Sequence, residues 1–186
     1  MSTGSPEDRR LSAARRTWTN TGDARPPFAD PVGDGQESVW DYPRPPAIVE
    51  DQRVVEVADP ATGVIARTTQ AVRILETASP PTFYLPWADV DRSRLVVAPG
   101  TSFCEWKGSA RYFALRSAPG EVIGWDYPEP TSTYAALADR VSFYPGRVAC
   151  TVDGERVRPQ AGGFYGGWVT DEVVGPFKGD PGTSGW

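Results

Sequence analysis

One residue in five of this 186-residue chain is glycine or proline, 19 of each. Proline removes an amide donor and glycine loosens the backbone, so neither sustains a long helix. A chain punctuated this often is expected to build short strands joined by tight turns. The expected fold is mainly β, a β-rich α+β arrangement. It is one compact domain of short antiparallel strands with two short helices and a tail rich in glycine and aromatics. The length suits one hydrophobic core with short extensions. No apolar run approaches bilayer-spanning length, so a soluble chain with no membrane partner is expected.

The spacing of apolar residues and turn formers divides the chain into three parts. Residues 1–36 mix Pro, Gly, Ser and charge, and read as a flexible arm. A β-rich domain is predicted over 37–158, with its packed part starting near Val39. Residues 159–186 read as an extension too glycine-rich for regular structure, whose Phe164, Tyr165, Trp168, Phe177 and Trp186 suggest that it wraps the domain. Within the domain, residues 47–49 and 54–57 look like a hairpin, and residues 64–66 like a third strand. Residues 68–78 place Ala71, Val72, Ile74, Leu75 and Ala78 at helical spacing, which predicts a first helix; residues 131–140 predict a second. Further strands are predicted over 82–85, 94–98, 110–116, 121–127, 141–144, 147–152 and 155–157. Asp153-Gly154 is the hairpin turn between the last two. The hexapeptide from Trp40 to Pro45 returns almost unchanged from Trp125 to Pro130, which reads equally as a duplication or as a local strand-ending device.

Composition excludes whole classes of chemistry. Histidine is absent, which removes the Ser-His-Asp triad, the Cys-His dyad and any zinc site using imidazole. The net charge of −5 makes nucleic acid an unlikely partner for the whole protein, although residues 1–25 carry five arginines against three acidic residues. Cys104 and Cys150 form no C-x-x-C pair, and the polar amino terminus lacks an apolar h-region. The expectation is therefore a cytoplasmic protein with two free thiols. Asp89 and Asp91 have the D-x-D spacing of a magnesium site but sit in what reads as an ordinary capped turn. No metal or cofactor is predicted.

The densest chemical cluster runs from Thr101 to Ala110 and sets Cys104, Glu105, Trp106 and Lys107 side by side. A lysine near a thiol lowers the thiol pKa, so Cys104 is a candidate nucleophile, although a lone cysteine beside a residue such as Phe103 is more often a small buried hydrophobe. Lys107, followed by a glycine, is positioned to offer its ammonium to an anionic group. In Trp125-Asp126-Tyr127, a strand puts both rings on one face and Asp126 on the other. Asp126 is then either a general base or a structural hydrogen-bonding group. Tyr84, Trp106, Tyr112, Trp125 and Tyr127 are the candidate walls for a planar ligand. The specific expectation is that Cys104, Lys107 and Asp126 share one cavity. Three functions stay open: binding of a small planar or anionic ligand, a thiol or acid/base enzyme of transferase type using Cys104 and Asp126, or a protein-interaction module. Oligomeric state is not legible.

The ordered set from Ala71–Glu76 and Ser79–Pro86, through Thr101 to Ala110 and Trp125 to Pro130, to the Val141-Ser142-Phe143-Tyr144-Pro145 run resembles the family called DUF427, also labelled nucleotidyltransferase-like. The resemblance covers residues 54–157, and the tail with Gly166-Gly167-Trp168 resembles the extension of the family's actinobacterial branch. It implies a small, mainly β domain of undetermined biochemical role. The Gly-Ser element and carboxylate pair of a nucleotidyltransferase are not evident, and no catalytic assignment comes with the family.

Overall fold

The structure, a computed structural model, describes residues 11–13, 15, 18–183 and 185–186. Its strands follow in chain order as β1 (Glu37–Ser38), β2 (Ala47–Asp51), β3 (Val55–Asp59), β4 (Gly63–Thr68), β5 (Ala71–Glu76), β6 (Ser79–Pro86), β7 (Leu95–Cys104) and β8 (Gly108–Leu115). They continue as β9 (Ala118–Asp126), β10 (Arg140–Phe143), β11 (Ala149–Val152), β12 (Glu155–Arg156), β13 (Arg158–Pro159), β14 (Trp168–Val169) and β15 (Val173–Val174). From residue 37 onward, helix among the described residues is confined to short 3-10 segments at Val39–Asp41, Trp87–Asp89, Arg92–Arg94 and Ser132–Leu137. The fold is mainly β, and none of the helices among the described residues is long and apolar enough to cross a membrane.

A seven-stranded antiparallel sheet in the order β2-β5-β6-β10-β9-β8-β7 forms the centre, and a four-stranded sheet, β12-β11-β3-β4, packs against it. Alternation along the strands gives the larger sheet two covered faces. One face places Phe83, Leu85, Phe113, Ile123, Val141 and Phe143 against Val55, Val57, Ile65, Cys150 and Val152 of the smaller sheet. The other face carries Val72, Ile74, Tyr84, Trp125 and Tyr127, covered by Trp106, Tyr134 and Leu137. Asp153 and Gly154 both have left-handed backbones, φ +47° and +83°, as a two-residue hairpin turn of the primed type requires.

Two sequence expectations fail for the same physical reason. Residues 68–78 are not a helix: β4 ends at Thr68, and Ala71–Glu76 is a central strand. Because both faces of β5 are covered, Ala71 is buried toward the first cluster and Val72 and Ile74 toward the second, and the resulting apolar run, interrupted only by Arg73, imitates helical spacing. Residues 47–57 are not a hairpin either. β2 pairs with β5, whereas β3 pairs with β4 and β11, so the chain changes sheet at the Asp51 to Arg53 corner, where Arg53 holds Asp51 in an ion pair. The second predicted helix is present as the shorter 3-10 segment Ser132–Leu137, with Tyr134 and Leu137 inward.

Described residues at both ends of the chain pack on the domain. The tail contains β14 and β15; β14 pairs with β13, and β15 lies parallel to β1. Trp168 is fully buried, stacked on Phe83 at 4.8 Å, and its indole donates to the Phe143 carbonyl at 2.9 Å. Residues 1–10, which carry Arg9 and Arg10 of the expected flexible basic arm, and Arg16 lie outside the described residues. Farther along, residues 11–13 and 15 are helical, Arg25 is paired with Asp41, and Trp18 packs against the second cluster. The repeated hexapeptide takes two conformations: Trp40-Asp41 is part of a 3-10 segment, and Trp125-Asp126 ends a strand, so a strand-ending device describes only the second copy.

Candidate functional site

The cluster from Thr101 to Ala110 is a hairpin rather than a loop. β7 runs on to Cys104, Gly108 pairs with it, and Glu105, Trp106 and Lys107 form the connection. Gly108 is left-handed at φ +101°, which lets the chain reverse directly after Lys107. Thr131 then fixes the tip: its hydroxyl donates to the Trp106 carbonyl at 2.7 Å and its amide to the Lys107 carbonyl at 3.1 Å. The hairpin end is thereby folded over the second face of the large sheet.

Between the tip and the sheet lies a cavity of about 260 Å³. Tyr84, Cys104, Trp106, Lys107, Tyr112, Trp125 and Tyr127 all line it. Register explains the grouping, because Tyr112 stands directly opposite Trp125 on neighbouring strands and shares its face. The walls are tied to one another. The Trp125 indole donates to the Tyr84 hydroxyl at 3.1 Å, the Tyr112 hydroxyl donates to Ser102 at 2.6 Å, and Tyr144 packs 4.5 Å from Trp125. Burial pushes the phenols of Tyr84 and Tyr144 up to about 12, so both walls are neutral through the physiological range.

Lys107 is the chemically unusual member. It is 8% exposed, and none of the described residues forms a hydrogen bond or ion pair with its ammonium. Burial opposes the charge, but attraction from the Cys104, Tyr84 and Glu76 side more than offsets this, and its pKa stands above the ordinary lysine value. The Trp106 indole N–H is likewise buried without an acceptor among the described residues. Cys104 is a half-buried free thiol on the same cavity, whereas Cys150 is fully buried in the other cluster.

Asp126 does not join them. Its side chain points to the opposite face of β9, as alternation from Trp125 requires, and is fully buried there. Arg111, its cross-strand partner, donates to it at 2.6 and 3.1 Å, and the Trp87 indole donates at 3.1 Å. All its close partners are structural, and the expected trio of Cys104, Lys107 and Asp126 in one hollow reduces to Cys104 and Lys107. The D-x-D pair is also engaged locally: Asp89 accepts from Thr68 at 2.6 Å, and Asp91 caps the 3-10 segment Arg92–Arg94.

Further walls come from the ends of the chain. Trp18 lies between two cations, Arg44 at 4.3 Å and Lys178 at 3.9 Å from its ring centroid. Lys178 also donates to the Trp186 carbonyl at 3.1 Å, and burial together with the nearby Arg44 lowers its pKa. Phe164, Tyr165 and Gly166 edge the opening, while Glu76, held by Arg44 at 3.5 Å, and Glu105 add carboxylates. Of these, the aromatic tail residues and Glu105 carried a signal in the sequence; Trp18, Glu76 and Lys178 carried none.

The family model described as a domain of unknown function, DUF427, matches residues 47–154, more than half of the chain. The chain belongs to this family. Among curated proteins, none matches it. The DUF427 segment supplies the sheet face and the hairpin tip of the cavity, including Tyr84, Cys104, Lys107 and Trp125; Trp18, Gln160, Phe164, Tyr165 and Lys178 lie outside the matched segment.

Proposed function

We propose that this DUF427 protein binds a small planar molecule carrying an anionic group, held in the aromatic cavity with its anion on Lys107. The observation that carries the reading is the buried Lys107 ammonium, which lines the hollow with no partner among the described residues. The three N–H donors of the ammonium have no acceptor among the described residues, and an anionic substituent of a ligand supplies one in a charge-assisted hydrogen bond. The rings of Trp106, Trp125 and Tyr127 line the same hollow and offer apolar faces, the combination that orients a flat ligand. The free thiols fit work in a reducing compartment such as the cytoplasm.

Isothermal titration of the full chain with a panel of nucleotides and planar carboxylates tests the reading. At least one member is expected to bind, and Lys107→Met, which keeps the length of the side chain, is expected to weaken it by about tenfold or more, as loss of a charge-assisted hydrogen bond does. A panel that produces no heat, or an affinity that Lys107→Met leaves unchanged, contradicts it.

A further inference from the structure

We infer that the tail segment 162–166 is the second jaw of the cavity, and that Phe164 and Tyr165 select ligands bearing an aromatic ring over aliphatic anions of the same charge. The inference rests on the ligand-binding reading above and adds the residues that choose the ligand class.

The base of the segment is pinned. The buried Gln160 side chain donates to the Lys178 carbonyl at 2.6 Å and accepts from the Gly167 amide at 3.0 Å, so it bridges the two ends of the tail loop. Gly162 and Gly179 cross backbone to backbone: a Cβ on the first would lie 2.5 Å from the Gly179 carbonyl oxygen, and one on the second 2.3 Å from that of Ala161. Gly166 abuts the Trp125 ring, with room for no side chain, since a Cβ there would come within 2.0 Å of the indole. Segment 162–166 is therefore fixed against the same indole that forms the back wall.

On this fixed base the two tip rings are presented outward. Phe164 is 68% exposed and Tyr165 37%, edge to face at 5.1 Å, and both border the cavity. Every other aromatic ring of the hollow except that of Phe103 is buried or half-buried, so the tip is where bare ring surface remains available at the opening. A rigid base that holds a largely exposed phenyl, and a partly exposed phenol with the Lys178 ammonium 5.5 Å from its ring centroid, beside an aromatic wall is pre-organised for stacking on a flat guest, and little ordering entropy is lost when one binds. An aliphatic anion reaches Lys107 equally well but has no ring to place against these two.

Cys104 gives a readout that needs no identified ligand. The full-length protein is treated with N-phenylmaleimide and N-ethylmaleimide, and each rate is divided by the rate with glutathione; peptide mass identifies the labelled cysteine, Cys150 being fully buried. Addition of the Cys104 sulfur across the maleimide double bond, with a proton taken up by the ring carbon, is the same step for both reagents, so the normalised ratio reports recognition of the ring. The wild type is expected to favour the phenyl reagent by about fivefold, the scale of one stacked aromatic pair. The double variant Phe164→Ser, Tyr165→Ser, at exposed positions, is expected to bring the ratio near unity. An unchanged ratio in the double variant overturns the inference, and so does a folded protein in which neither reagent reaches Cys104. Lys107→Met keeps the two readings apart. If it abolishes anion binding while the double variant keeps the phenyl preference, the jaw fails and the ligand reading stands; if anion binding ignores Lys107 while the preference depends on the tip, the reverse holds.

Discussion

At the residue scale, burial and partnership separate the groups that hold the protein together from the one that is left over. Asp126 and Lys107 are both buried charges, but Asp126 is enclosed by Arg111 and the Trp87 indole, whereas Lys107 has no such cage. Asp126→Ala leaves the Trp87 N–H without its acceptor, and Arg111, nearly half-exposed, turns to solvent. The expected loss is about 2 kcal/mol of stability, a fall of about 4–8 °C in Tm for a domain of this size, with anion affinity unchanged. Calorimetric unfolding and titration of the same variant check both parts; a stable variant that no longer binds would return Asp126 to the site. The Asp126 pairing had a trace in the sequence, since Arg111 and Asp126 fall in consecutive predicted strands, but register decides which residues face each other and composition does not.

At the element scale, the tail is part of the fold and the hairpin tip is part of the site. Trp168 joins β14 to the central sheet through its stack on Phe83 and its bond to the Phe143 carbonyl. Trp168→Ala is expected to remove about 3–5 kcal/mol, measured by urea unfolding; a loss below about 1 kcal/mol would show that the tail is dispensable to the core. The elements bounded by turn chemistry were legible in sequence: the Asp153-Gly154 hairpin, and the strands around Tyr84, Tyr112 and Trp125, lie where glycine, proline and alternation put them. The Ala71–Glu76 strand was not, because an apolar run covered on both sides loses the two-residue period that marks a strand. Seven of the eight expected site residues meet in one cavity, six of them for a local reason: β7, β8 and β9 are consecutive neighbours, so short-range pairing brings the side chains on and beside them together, while Tyr84 joins from β6, beyond β10. Trp18, Gln160 and Lys178 reach the same place through long-range closure, which no local pattern records.

At the scale of the whole molecule, one sheet serves two purposes with its two faces. The face toward β3, β4 and β11 is dry and aliphatic-rich; the other is dominated by phenols and indoles and stays partly hollow. That division has a signature in alkali. The folded protein keeps protons on Tyr84, Tyr134 and Tyr144, whose phenols burial pushes up to about 12, while the unfolded chain releases them near 10. With more protons bound in the native state across that window, stability is full below about pH 10 and falls as pH rises toward 12. Urea midpoints at pH 8, 10 and 11 check this, and a midpoint that stays level to pH 11 would contradict it. The most direct test of the central claim is a crystal structure of the full chain soaked with an aromatic carboxylate. The account predicts the carboxylate within hydrogen-bond reach, about 2.7–3.2 Å, of Lys107 Nζ, with the ring against Trp125. An empty or water-filled hollow, or a Lys107 ammonium already satisfied by a protein group, would contradict it.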